Sequence, residues 1–347
     1  TTEPGRRRIL PVKYVGGLLA MGSGLALGRE GPSVQMGGNI AIAVSRMLHM
    51  TRYDLRVLVA GGAAAGLATA FNAPMAAGVF VLEELMRRFD PRITLATLIA
   101  SGSGFTSAQL LLSNEPEFQI AAIADPTLRH VPLVIAVGVV AGLLGIAYNR
   151  TVMFGLRVAY ASSWPVEARA ALIGAFIGFV GWLSPSIVGG GHNLTQDALL
   201  GQGTLLAVCG IVLVRFVLGA VSYAAGTPGG LFAPMLVLGS QAGLAVGLIA
   251  TRLAPGLEPD LAALALIGMA AFFTATVRAP VTGVVLATEL TGSTAVLPPM
   301  LGACAVAMLV ANVLKAEPIY HSLSELAAKV ARRQADEAKE ADAGQKP

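Results

Sequence analysis

Charge is scarce in this sequence. Of its 347 residues, 13% are charged and 55% are hydrophobic, whereas a soluble domain carries about 25% charge. Twelve of the charged residues are crowded into positions 315–347, so the remainder of the chain is nearly neutral. Uncharged stretches run from Ile93 to Asn114, Phe216 to Thr251 and Leu290 to Leu314, each at or above the ~20 residues that cross a bilayer as a helix. The fold class read from this is an all-α polytopic membrane protein. Cysteine is equally scarce: Cys209 and Cys304 both lie in apolar stretches and read as buried packing thiols. Four dispersed histidines have no zinc-like spacing, so neither a metal nor any other cofactor is expected. No basic run with interleaved aromatics points to nucleic acid. An enzyme is disfavoured by the absence of a phosphate-loop Gly-Lys and of a Gly-x-Ser-x-Gly elbow. The polar, basic opening Thr1 to Arg8 leads into no cleavable signal pattern, so insertion rests on internal spans. The net charge of +4 suits loops facing anionic lipid.

Glycine and proline are abundant instead, 41 and 19, and many fall inside the hydrophobic segments. Some serve close helix packing, as in Gly138 to Gly145. Gly-Pro clusters in mid-span predict broken helices, which membranes tolerate where protein buries them or where they line a watery path. Two pairs of segments also look alike. Phe71-Asn72-Ala73-Pro74-Met75-Ala76-Ala77-Gly78, ending in Glu83-Glu84-Leu85, resembles Val277-Arg278-Ala279-Pro280-Val281-Thr282-Gly283-Val284, ending in Glu289-Leu290. Pro32 and Gly37 match Pro234 and Gly239. The offsets, 202 residues from Pro32 to Pro234 and 206 from Pro74 to Pro280, are close enough to indicate a duplicated architecture. Transporters built from repeats place substrate at the repeat interface, on broken helices. The halves are unequal, however. Only 31 residues precede Pro32, and the counterpart of the cluster Gly189-Gly190-Gly191-His192 would fall before Thr1. The first repeat is therefore expected to be incomplete.

The densest local signal is Gly28-Arg29-Glu30-Gly31-Pro32. Glycines permit a tight turn and proline suits a first helical turn, which predicts a helix from Gly31 through Ser45. A helix start presents unpaired N–H groups and the positive end of the helix dipole to an anion. Glu30 stands where that anion would sit; alone, it reads more readily as an acidic cap on an ordinary helix, and the context of the second motif reverses that reading. Gly226-Thr227-Pro228-Gly229-Gly230-Leu231-Phe232-Ala233-Pro234 repeats the design without an acid, leaving the amides of Leu231, Phe232 and Ala233 to a mobile anion. If the two ends share one site, Glu30 competes with the anion when ionised and withdraws when protonated. Burial and the helix dipole act on its proton affinity in opposite senses.

These motifs resemble the CLC family of chloride channels and transporters, in particular its prokaryotic proton-coupled antiporters. The likeness runs from Leu10-Pro11-Val12-Lys13 to Tyr320. It implies two inverted repeats of tilted, broken helices, divided here as 1–120, 121–320 and a C-terminal helix and tail, 321–347; beyond the likeness, the charged, alanine-rich Ser322 to Ala341 reads by composition as a cytoplasmic helix followed by a frayed tail. It implies that Glu30 is the external gate and proton acceptor. Anion contacts fall to Arg29, Gly31, Leu231, Phe232, Ala233 and the hydroxyl of Tyr320. Glu84 matches the internal proton-transfer glutamate, and Glu83 a neighbour that supports the water path. By themselves, two acids at a span end read as solvated, although an intramembrane acid is a functional candidate. Arg278 and Glu289 are expected to make structural pairs. The family's Gly-Ser-Gly-Ile-Pro motif is absent, as the incomplete first repeat requires. The expected function is exchange of chloride or a similar anion for protons, by a homodimer in the bacterial inner membrane. The rival readings are a passive chloride channel and an inactive membrane-embedded assembly partner.

Overall fold

The computed structural model describes residues 9–111, 116–123 and 127–343. The outer ends of the first and last predicted units, 1–8 and 344–347, lie outside the described residues. Fourteen α-helices and no strand occur among the described residues. The first half contains α1 (Ile9–Gly22), α2 (Glu30–Met47), α3 (Arg52–Phe71), α4 (Pro74–Phe80) and α5 (Pro91–Gln109), with a π-helical turn, Val81–Met86, after α4. The second contains α6 (Val131–Ala161), α7 (Val166–Leu183), α8 (His192–Leu199), α9 (Leu205–Ala224), α10 (Phe232–Leu253), α11 (Leu261–Val277), α12 (Pro280–Thr291) and α13 (Leu297–Val313). Helix α14 (Ile319–Ala343) closes the chain and extends slightly beyond the predicted bounds at both ends.

The helix boundaries arise from short-range chemistry. Thr51, Asp90, Thr204 and Asp260 each accept a backbone N–H of the first turn they precede, as N-caps do. The duplicated Asn72-Ala73-Pro74 and Arg278-Ala279-Pro280 work in another way. Asn72 and Arg278 both take left-handed backbone, with φ of 56° and 71°, ending α3 and α11. The proline two residues later opens the next helix, with its fixed φ and missing N–H at a position that needs no donor.

Among the described residues, five helices are long and apolar enough to cross a membrane by length and composition: α3, α7, α9, α10 and the stretch Leu128–Ala161 that contains α6. The uncharged stretches are a poorer guide to continuity. Phe216 to Thr251 is cut between α9 and α10 at Gly226 and Pro228, and Leu290 to Leu314 is cut at Gly292. An absence of charge permits burial in lipid but does not require one unbroken helix. Cys304 is buried, as expected, whereas Cys209 is exposed on α9; an apolar setting does not separate a face turned to lipid from one turned to protein.

Glycines bring α2 against α3 and α10 against α11. A β-carbon at Gly37 would lie 2.0 Å from the Gly62 carbonyl, and one at Gly243 2.0 Å from the Leu264 carbonyl. Backbones at that separation exclude any side chain. Helix α11 is buried from Ala262 through Val277 and forms the centre of the molecule.

The two halves are related by a pseudo-twofold. Gly28 and Gly230, equivalent in the two repeats, form an antiparallel backbone bridge. The amino terminus of α4 meets Glu289 near the end of α12, and that of α12 meets Glu83 just past α4. Equivalent helices thus run in opposite directions, as inverted repeats demand.

Candidate functional site

The bridge between Gly28 and Gly230 sets two helix starts side by side. Gly28 N–H donates to the Gly230 carbonyl at 2.9 Å, and Gly230 N–H donates to the Gly28 carbonyl at 2.8 Å. Helices α2 and α10 begin within a few residues of this bridge, so their positive ends converge. Neither start has a side-chain cap of its own: Arg29 and Leu231, the N-cap residues, make no capping hydrogen bond.

Glu30 occupies the space between the two starts. It is 2% exposed, and its carboxylate is faced by its own amide N–H and by that of Ala233, across the repeat boundary. Oε2 has no hydrogen-bond partner among the described residues. It packs against glycine, since a β-carbon would come within 1.9 Å of Oε2 at Gly28 and within 2.7 Å at Gly230. The carboxylate therefore lies where the sequence places an anion, and it supplies the acid that the Leu231–Ala233 segment lacks.

Cavities open on either side of Glu30. One, of about 400 Å³, is lined by Glu30, Gly31, Phe80, Phe232 and Tyr320. The other, of about 340 Å³, is lined by Glu30, Gly28, Arg29, Glu117, His192 and Ala233. The Glu30 side chain is the partition shared by both. On the first side, Phe232 is an aromatic hub, with ring centroids 4.8 Å from Phe80, 5.2 Å from Phe71 and 6.3 Å from Tyr320. On the second, Arg29 turns away from the helix start and pairs with Glu117 at 3.1 Å. His192 stacks on Phe118 and brings Nδ1 within 3.6 Å of the same carboxylate.

Six of the eight predicted residues are thus gathered closely: Glu30, Gly31, Leu231, Phe232, Ala233 and Tyr320. Arg29 is adjacent: it lines the second cavity, and its side chain is held by Glu117. Glu84 stands apart, on the π-helical turn. It is 7% exposed and paired at 3.1 Å with Arg87. Its neighbour Leu85, not Glu84 itself, lines the Tyr320 cavity. Glu83 is tied to a distant helix. Its carboxylate is bound to the first turn of α12, and it lines neither cavity. Arg278 and Glu289 are structural, though not paired with each other: Arg278 bonds Asn312 and the Ala316 carbonyl, and Glu289 binds α4.

Three further residues border the site. Glu117 and His192 form a polar rim, and Arg215 supports it from behind. Arg215 is 1% exposed and donates to the carbonyls of Ile187, Gly189 and Gly190 at 3.0, 2.6 and 3.0 Å. It holds the glycine turn before α8, and Gly190 lines the rim cavity. A single cation inside the apolar α9 is the signal that could have found it. Arg215→Met is expected to destabilise the protein by about 3 kcal/mol, because three part-buried carbonyls lose a charged donor; thermal unfolding in detergent measures this, and an unchanged midpoint would refute it.

The comparisons with known proteins agree with this geometry. A family profile described as voltage gated chloride channel matches residues 2–312. The H(+)/Cl(-) exchange transporter ClcA of Salmonella paratyphi A is 35% identical over 340 residues, covering 95% of this chain and 71% of that protein. The protein of the same name from Salmonella typhi is 34% identical with the same coverage. Among solved structures, a slow cyanobacterial Cl-/H+ antiporter superposes with a TM-score of 0.87 at 31% identity, covering 92% of this chain and 76% of that one. A CLC-type fluoride/proton antiporter shares the fold, with a TM-score of 0.77 at 24% identity over 91% of this chain and 77% of that one. An inverted-repeat helical fold, two uncapped helix starts closing on a buried glutamate, and a family match over most of its length make this chain a member of the voltage-gated chloride channel family.

Proposed function

We propose that the protein exchanges chloride for protons across a membrane, with Glu30 as the gate that couples them. The observation that carries this reading is the placement of the Glu30 carboxylate. It fills an anion-shaped gap between two helix starts and at the same time divides two cavities. While ionised it neutralises the positive ends of α2 and α10 and excludes a halide. On taking a proton it loses that attraction, leaves the gap, and an anion replaces it against the amides of Gly31, Phe232 and Ala233. The Tyr320 hydroxyl donates to the anion from the opposite side. Glu84 takes the proton on the Tyr320 side, and water in the Tyr320 cavity carries it towards Glu30, since the intervening walls are mainly Phe80, Phe232 and Tyr320. The names of the relatives in Salmonella and of the cyanobacterial structure support chloride and protons as the exchanged pair. The same reading takes the chain to act as a homodimer in the bacterial inner membrane, on the strength of the family resemblance.

The test is vesicle transport with the membrane voltage clamped. Outward chloride flow should drive protons inward, uphill against their own gradient. A passive channel would move chloride and leave the internal pH unchanged, and that outcome would sink the coupling. A second measurement addresses the anion contact. Tyr320→Phe removes one hydroxyl donor, which is expected to cost about 1 kcal/mol, or about fivefold in chloride affinity by calorimetry. An unchanged affinity would remove Tyr320 from the site.

A further inference from the structure

The acids just past α4 and near the end of α12 are used in a way the transport scheme does not require. Glu83 accepts the N–H of Val281 at 3.2 Å, the N–H of Thr282 at 2.8 Å and the hydroxyl of Thr282 at 2.7 Å. Glu289 accepts the N–H of Met75 at 2.9 Å and that of Ala76 at 2.6 Å. Glu83 and Glu289 are themselves separated by the 206-residue offset of the repeat. Each repeat therefore lends a carboxylate to the first turn of the other repeat's helix. Ionised acceptors at a helix start make short, strong bonds and meet the positive end of the dipole. The result is a reciprocal clamp across the pseudo-axis.

The arms of the clamp differ in the residue that comes next. After Glu289 comes Leu290, still within regular α-helix; after Glu83 comes Glu84, within the π-helical turn Val81–Met86. A π-turn inserted in a helix commonly marks a functional position. Glu84 follows Glu83 directly in the same hydrogen-bonded turn, so anchoring Glu83 on α12 fixes the direction in which Glu84 leaves the turn. The carboxylate of Glu84 then meets Arg87 at 3.1 Å. We propose that Glu83 is a positioning residue for Glu84, holding it in register for proton transfer by docking the π-turn onto α12, while Glu289 performs the same docking with no part in proton movement. This rests on the proton-exchange reading above.

Four variants test it, each measured for thermal stability in detergent and for proton and chloride flux in vesicles. Glu83→Ala and Glu289→Ala should lower stability alike, because each frees a helix start. Only Glu83→Ala should lower the ratio of proton to chloride flux, by at least about tenfold, as small displacements of a reacting group do. Glu83→Gln keeps an oxygen for both Thr282 donors and should hold the ratio near that of the unmodified protein. Thr282→Val removes a donor without touching either acid and should lower the ratio in part, which keeps the test open if Glu83→Ala fails to fold. A normal ratio in Glu83→Ala overturns the proposal. So does equal loss in Glu289→Ala, which would mean general damage, and so does complete loss in Glu83→Gln, which would make Glu83 a proton carrier itself. Uncoupled flux in the unmodified protein would instead defeat the exchange reading, and the stability pair would still report on the clamp.

Discussion

Glu30→Gln should abolish proton movement while chloride continues to cross. The substitution keeps nearly the same volume and removes the one property the mechanism needs, a side chain that alternates between charged and neutral. Glutamine cannot neutralise the converging ends of α2 and α10, and its amide would bring a donor towards the Ala233 N–H that now faces the carboxylate. Two donors in opposition repel, so the neutral side chain should cede the gap to an anion. Simultaneous recording with a pH electrode and a chloride electrode on proteoliposomes measures both fluxes. Proton flux should fall to the level of empty vesicles, with chloride flux retained. Coupled proton transport persisting in this variant would remove Glu30 from the gate.

Gly28→Ala should reach nearly the same end by steric means. The added methyl would lie 1.9 Å from Oε2 and 2.3 Å from Oε1 of Glu30, a separation no atoms sustain. What yields is the far end of a flexible side chain, so the cost to folding is small. The backbone at Gly28 is not left-handed and accepts alanine. The carboxylate is driven from its seat, and the expected phenotype is a stable protein that conducts chloride with little proton coupling. Gly31→Ala makes the contrast. Its methyl would meet the Gly229 carbonyl oxygen at 2.8 Å and its carbon at 3.2 Å, and backbone there cannot turn aside. Overpacking of this kind costs about 1–3 kcal/mol or more, so Gly31→Ala should melt earlier than Gly28→Ala in the same detergent. A tightly coupled Gly28→Ala protein would contradict the assigned seat of the carboxylate.

The parts of the site that are legible in the sequence are those written in short motifs. Gly28 to Pro32 and Gly226 to Pro234 carry their geometry locally, in residues that choose turns and helix starts, and the structure brings them together. The repeated Ala73-Pro74 and Ala279-Pro280 likewise mark real helix breaks. The partner of Glu83 is hidden because it lies 199 residues away at Thr282, and nothing in a run of two acids distinguishes a carboxylate bound to a distant helix from one in water. Arg215 is hidden for the opposite reason: it is a single residue without a pattern, and its partners are backbone carbonyls that any sequence supplies. Glu117 lies in a connection, where residue type says little about what it will face.

The bridge between Gly28 and Gly230 has a consequence for how such a machine could move. Its two hydrogen bonds use only main-chain atoms, and they tie together the very segments of chain that would have to part if one repeat rocked against the other. The two helix starts that flank Glu30 are stapled to each other. Alternating exposure to the two sides then falls to the swing of one carboxylate, a displacement of a few atoms, and amide exchange at Gly28 and Gly230 should stay slow throughout turnover.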